Sequence, residues 1–268
     1  MAALAQTEDL PAFRHGLITQ GRDTGNAWYI VLREYPSNLE LTMLKLDHTE
    51  SLRRGGGAKR KNTRKSEMDE GTLAKAQQRA RSNVRRRCFS TDMDTMLTLT
   101  FRENVTDIQE AWAVFKYFSR LMRWRFKERW FYVCVPEYQK RGAVHFHLAI
   151  KGFFPVGTVR RLWRRACGTR EGNIDIRSPR SIGKNSWNPR RIAQYLSKYI
   201  SKNDSVEFNK RRYASGGEFP PPLIVRGWTA WGLYMPKLAR EIFKEFTHKQ
   251  IGVMWESEEM RPILYCST

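Results

Sequence analysis

Two short segments of the chain carry residue types that could do chemistry together. Val144-His145-Phe146-His147-Leu148 has the composition of a buried strand. Side chains alternate along a strand, so His145 and His147 fall on one face, roughly 6.6 Å apart along the chain direction. Two imidazoles so placed could hold a divalent cation. Further on, Tyr195-Leu196-Ser197-Lys198-Tyr199-Ile200-Ser201-Lys202 reads as a helix. Tyr195 and Tyr199 are four apart and stack on one helical face, and the unit Tyr-x-x-Lys occurs twice in tandem, with Lys198 and Lys202 as its lysines. A phenol ionises near pH 10 and is a poor nucleophile at neutral pH without help. An ammonium beside it would lower that pKa and offset charge building on a phosphorus under attack. A cation on the histidines would polarise the scissile phosphate and hold it in line with the phenol.

Such a metal site needs a third ligand. Glu137 ends the preceding apolar run, and a turn through Lys140-Arg141-Gly142 would bring it back beside His145. Mixed imidazole and carboxylate donors suit Mg²⁺ or Mn²⁺, whereas an all-histidine site suits Zn²⁺. Taken alone, His-x-His also describes two core or surface histidines, and paired tyrosines at helical spacing usually only pack. A barrel hydrolase would need further histidines downstream, and only His248 follows. The four cysteines, Cys88, Cys134, Cys167 and Cys266, are scattered without Cys-x-x-Cys, which argues against a zinc finger or a disulfide framework and fits a reducing cytosol.

The chemistry acquires a substrate class from charge. The chain has 268 residues, with 48 Lys and Arg against 27 Asp and Glu, a net charge of +21 that favours a polyanionic partner. With 41% hydrophobic and 12% aromatic residues it is globular. No apolar run is long enough to span a bilayer, and Glu8 and Asp9 spoil a secretory leader. A nucleic-acid backbone is therefore the expected phosphate.

The elements that must position these residues follow from periodicity. Residues 72–87 read as a basic helix, preceded from Arg53 to Lys65 by a Gly/Arg/Lys-rich linker. Met96–Phe101 has strand composition. Ile108, Trp112, Phe115, Phe118, Met122 and Phe126 recur at helical spacing and form a core stripe. Trp130–Val135 and Ala143–Ile150 form an antiparallel pair separated by Pro136 and Lys140-Arg141-Gly142. Val159, Leu162, Trp163 and Ala166 mark another helix, with arginines on its other faces. Asn173–Arg177 is an edge strand, and Pro189 opens the helix of the tyrosines. The final helix runs from Pro236 to Phe246. This order predicts an α+β fold, an antiparallel sheet of about five strands backed by helices. Residues 72–215 form that domain, 1–71 an N-terminal extension with the basic linker, and 216–268 a C-terminal helical extension.

In these motifs the chain resembles the HUH endonucleases, specifically the two-tyrosine rolling-circle replication initiators of phage and plasmid type. Leu97-Thr98-Leu99-Thr100 is similar to their first motif, His145-Phe146-His147 to the second, and Tyr195-Leu196-Ser197-Lys198-Tyr199 to the third. Pro136–His145 is similar to the lead-in of the histidine motif. The likeness covers about residues 72–215, with the motifs in the family's order. It implies an RRM-like palm, His145, His147 and Glu137 as ligands of Mg²⁺ or Mn²⁺, and Tyr195 and Tyr199 as alternating nucleophiles accompanied by Lys198 and Lys202. It implies nicking and rejoining of single-stranded DNA through a 5′-phosphotyrosine link, at a hairpin origin, in the cytoplasm of a bacterial host. Tyr195 is expected to be the essential tyrosine if only one is. Arg141, Arg190 and Arg191 flank the chemistry and could hold phosphates, while Trp187 and Tyr213 could stack on bases or pack. Gly183-Lys184-Asn185 fails as a P-loop, because Asn replaces Ser/Thr after Lys and position 178 is Ser, not Gly. A separate host helicase and polymerase are thus the implied partners. The competing readings are a two-tyrosine transposase and a basic nucleic-acid-binding protein without catalysis.

Overall fold

The structure, a computed structural model, describes residues 28–45, 70–177, 188–202, 212–229, 235–246, 250–257 and 263–267. The Arg53–Lys65 linker, Gly183-Lys184-Asn185, Trp187, His248 and the side chain of Lys202 lie outside the described residues. The chain divides into two compact units. Residues Lys65–Pro220 form a central unit, and Met1–Arg64 together with Pro221–Thr268 form a terminal unit.

The central unit is the α+β sandwich that the periodicity predicts. Helix α1 (Glu70–Ser90) leads into β3 (Thr95–Phe101), α2 (Ile108–Phe126), β4 (Tyr132–Tyr138), β5 (Val144–Ile150), α3 (Val156–Cys167), β6 (Gly172–Arg177), α4 (Pro189–Lys202) and the short β7 (Ala214–Gly216). Its five strands run in the order β6-β3-β5-β4-β7, every neighbour antiparallel. The histidine strand is therefore central and Gly172–Arg177 is an edge, as expected.

Strand alternation splits this sheet into two faces. Leu97, Leu99, Phe101, Cys134, Val144, Phe146, Leu148 and Ile150 point to one side and build the main core with α2 and α3. That core is rich in aromatic side chains: Phe118 meets Trp163 edge-on at 5.3 Å and Phe115 meets Phe146 at 5.1 Å. Met96, Val133, Val135 and Ala149 point to the other side, against Ala80, Val84 and Cys88 of α1 and Ile192, Ala193, Leu196 and Ile200 of α4. The spacing 192, 193, 196, 199, 200 is the buried stripe of an amphipathic helix, and it puts both tyrosines at the stripe's edge. Asn188 caps α4, its side-chain oxygen accepting from the Arg191 amide at 2.8 Å.

Two expectations are corrected. Pro136 does not separate β4 from β5 but lies inside β4, opposite Phe146. The strand tolerates it because β7 pairs only with Tyr132–Cys134, so at Pro136 that side of the strand needs no backbone donor. The turn is instead Gln139–Gly142, closed by the Gly142 amide donating to the Gln139 carbonyl, with Gly142 at φ 83°. The second correction concerns the ends of the chain. Residues 216–268 are not a helical extension: beside α5 (Met235–Phe246) they carry β8 (Leu223–Thr229), β9 (Val253–Ser257) and β10 (Ile263–Ser267).

Those three strands join β1 (Trp28–Glu34) and β2 (Leu39–Lys45) in a second antiparallel sheet of order β8-β1-β2-β10-β9. Ile30, Leu32, Leu41, Met43 and Val225 pack on Leu238, Ala239, Ile242 and Phe243 of α5. The two terminal stretches build this sheet jointly, each supplying strands that the other completes.

Candidate functional site

Register decides which polar groups meet in the central unit. On the face turned toward α4, His147 lies opposite Thr98 of β3 and Val135 of β4, and His145 lies opposite Thr100 and Glu137. The β4–β5 hairpin thus returns Glu137 to the flank of His145. Where this face runs out of aliphatic residues, its side chains are Thr98, Thr100, Glu137, His145 and His147, and these polar groups need partners.

Each imidazole is oriented by a neighbour on one nitrogen. Thr98 Oγ1 bonds His147 Nδ1 at 3.2 Å, and the Gln139 amide nitrogen donates to His145 Nδ1 at 3.1 Å. Arg141 Nε donates in turn to the Gln139 oxygen at 3.2 Å, which fixes the way that amide points. His147 Nε2 meets Glu137 Oε2 at 2.7 Å. His145 Nε2 is buried and has no hydrogen-bond partner among the described residues. Burial, then the neighbouring His147, hold the His145 pKa below its usual value, with Glu137 opposing them.

The phenols stand over this group. The ring of Tyr199 stacks on His147, with centroids 4.2 Å apart and planes 9° from parallel. Tyr195 meets the same imidazole edge-on at 5.7 Å. The Tyr199 hydroxyl donates to the Tyr195 hydroxyl at 2.7 Å. Tyr199 is buried and Tyr195 half-buried, so the outer phenol is the more accessible of the two.

The expectation that a lysine lowers the phenol pKa fails for Tyr199. Burial, the hydroxyl of Tyr195 and the charge of Glu137 all push it well above its usual value. Lys198 follows Tyr195 by three residues but is exposed, so water screens its charge. Arg190 and Arg191 occupy the first turn of α4, half-buried and exposed respectively. Arg141 is exposed in the hairpin turn beside His145. Tyr213 packs into the cluster between the sheet and α4, with the Arg87 guanidinium 6.0 Å from its ring centre. All four cysteines are free and buried, which leaves none as a ligand at this site.

The residues at the site fit a divalent cation as donors, though they are not a closed cage. Among the described residues no three His, Cys, Asp or Glu side chains gather into a metal cluster. Glu137 closes on His147 instead, and a cation would have to part that contact. The orphaned Nε2 of His145 is the observation that favours one, because a buried ring nitrogen without a partner is costly unless something else takes it up. Two of the groups that hold this site together, Gln139 and Thr98, were not singled out for a role from the sequence. Their signal is alternation: Gln139 is two residues beyond Glu137, and Thr98 is cross-strand from His147.

A family model for replication-associated proteins, those described as ORF2 and gene II protein, matches residues 94–204. The matched stretch begins just before β3 and ends just after α4, so it contains the strands and helix of the site. It ties this segment to replication proteins, and replication initiation is the function it suggests. No curated protein and no solved structure matches the chain. No helix among the described residues is long and apolar enough to cross a membrane.

Proposed function

We propose that the chain initiates rolling-circle replication by nicking and rejoining single-stranded DNA through a tyrosine-linked intermediate. The observation that carries this reading is the stacking of Tyr199 on His147 with Tyr195 hydrogen-bonded beside it, since one phosphate could then touch both the imidazole strand and the phenols. In this reading His145, His147 and Glu137 hold Mg²⁺ or Mn²⁺, which when bound polarises the scissile phosphate. A cation on His145 Nε2 replaces the ring proton there, and Gln139 turns its amide so that its oxygen accepts from Nδ1–H. Tyr195 is the first nucleophile, because its oxygen already accepts the Tyr199 proton and is the more exposed. Its oxygen forms a bond to phosphorus, its proton leaves to water, and the 3′-oxygen departs and is protonated. The result is a 5′-phosphotyrosine link and a free 3′-hydroxyl, and rejoining reverses the exchange without ATP. Tyr199 then serves the second cleavage, once the site has rearranged around the bound strand. Arg141, Arg190 and Arg191 hold flanking phosphates of a hairpin origin, and host helicase and polymerase extend the free end.

The test is incubation with pooled single-stranded hairpins and Mn²⁺, followed by sequencing of the DNA that stays attached to protein. Adduct should form with the native chain, vanish with EDTA, and vanish in the Tyr195→Phe/Tyr199→Phe variant while hairpin binding persists. An undiminished adduct in that variant removes the tyrosines from the mechanism. Hairpin binding without any adduct, in the native chain as in the variant, leaves only a nucleic-acid-binding protein.

A further inference from the structure

The central unit carries a second cationic surface, on the side of its sheet remote from the tyrosines. Helices α2 and α3 lie side by side over the aromatic core, joined by the Phe118–Trp163 contact. Their outer faces are exposed. On α2 the positions Lys116, Arg120 and Arg123 are spaced by four and three residues, so one cation recurs about every 5.4 Å turn of a single stripe. On α3 the exposed Arg161, Arg164 and Arg165 repeat that spacing. Arg120 is steadied by the ring of Tyr117, 5.3 Å from its guanidinium. Acidic side chains do little to neutralise the surface. Glu171 is already bridged by Arg102, and Glu128 lies beyond the end of α2. Trp124, 77% exposed, flanks the α2 stripe.

We infer that this face binds the phosphate backbone of duplex DNA, as a site separate from the one under α4. Two neighbouring rows of cations on rigid helices match the task of gripping a charged backbone. A single-stranded partner would instead ask for a ladder of aromatic rings on which bases stack, and among the described residues of this face Trp124 is the one large exposed ring. Because the sheet and its core intervene, DNA seated on α2 and α3 is not the strand held at His147. The central unit thus grips two DNA segments, one at each face. The inference does not rest on the nicking chemistry and survives if that reading fails.

The experiment measures anisotropy of a labelled duplex lacking any hairpin, across a salt series. Lys116→Glu/Arg120→Glu/Arg123→Glu and Arg161→Glu/Arg164→Glu/Arg165→Glu are compared with Lys237→Glu/Arg240→Glu/Lys244→Glu on α5, which changes net charge equally at exposed positions. Each triple on α2 or α3 should weaken duplex binding about tenfold or more, and flatten the log K against log salt slope by about 0.9 per lost phosphate contact. The α5 triple should do neither, and hairpin adduct yield, where the native chain gives adduct, should stay unchanged in the α2 and α3 variants. A benzophenone carried on Trp124→Cys should crosslink the duplex in the otherwise native chain, a readout independent of any folding defect in the triples. Equal weakening by the α5 triple, an unchanged salt slope, the absence of that crosslink, or equal displacement by polyglutamate would overturn the inference.

Discussion

The two faces of the central sheet come from the same strands, yet they are built to different rules. Toward α2 and α3, every inward position of β3 and β5 is Leu, Phe, Val or Ile, and the space between is filled by Phe115, Phe118, Trp130 and Trp163. Toward α4, the same strands begin with Met96 and Ala149 and end with Thr98, Thr100, His145 and His147. The first face gains its stability by removing apolar surface from water. The second gives up part of that gain to seat imidazoles, a carboxylate and phenols in mutual contact. A site assembled this way inherits rigidity from the face behind it: His147 cannot shift without moving Phe146 and Leu148, its neighbours in the core.

The comparison is broken most severely from the core side. Trp163→Ala removes a fully buried ring that packs on Phe101 and Phe118 and donates to the Thr100 carbonyl at 2.9 Å. It should cost about 3–5 kcal/mol, read as a shift in the urea unfolding midpoint. Thr98→Val, at the polar face, should leave that midpoint within about 1 kcal/mol while loosening His147. If both substitutions destabilise alike, the polar face contributes as much to folding as the core, and the contrast fails.

Next in size is the difference between the phenols. Tyr195→Phe should abolish the first cleavage at neutral pH. Tyr199→Phe removes only a donor to the attacking oxygen and should slow it about tenfold, the worth of one hydrogen bond of about 1.4 kcal/mol. Because the Tyr199 pKa is raised by burial, by Tyr195 and by Glu137, any residual nicking in Tyr195→Phe should climb with pH beyond the usual phenol value of about 10. Nicking that survives Tyr195→Phe undiminished at pH 7 would reverse the assignment. A gentler perturbation is Gln139→Ala, which leaves the His145, His147 and Glu137 side chains in place but frees His145 Nδ1. Mn²⁺ affinity by calorimetry should fall about 10- to 100-fold, with the fold intact by circular dichroism. An unchanged affinity would remove Gln139 from the site.

What was legible in the sequence follows the same division. The core face could be read almost residue by residue, because period-2 alternation in Leu97–Phe101 and period-3.6 recurrence from Ile108 to Phe126 are imposed by geometry alone. The candidate site could be read as residue types, and register then placed Glu137 opposite His145. Its wiring was not readable. Whether Glu137 faces His145 or closes on His147, and whether a phenol finds a lysine or the other phenol, depends on side-chain orientation that spacing does not encode. The terminal unit was not legible for a different reason. Trp28–Leu32 pairs with Val225–Thr229, from the far end of the chain, and no local pattern announces such a partner. Pro136 misled because a proline reads as a break unless the strand's open side is known.

The smallest effect distinguishes the faces by proton linkage. Burial and His147 lower the His145 pKa in the folded protein below the value of about 6.5 expected when the chain is unfolded. The unfolded chain therefore binds more protons in that window, so the stability contributed by keeping His145 neutral is complete above pH 6.5 and is lost as pH falls through the lowered folded value. The metal-free thermal midpoint should decline slightly as pH is taken from about 7 to about 5, and the decline should be shallower in His145→Asn. Saturating Mn²⁺ should steepen the native decline, since protons would then also compete with the cation for the ring nitrogen. Equal slopes for the native chain and His145→Asn, with and without Mn²⁺, would mean that the orphaned nitrogen is already satisfied by water and that the polar face is not poised for a cation.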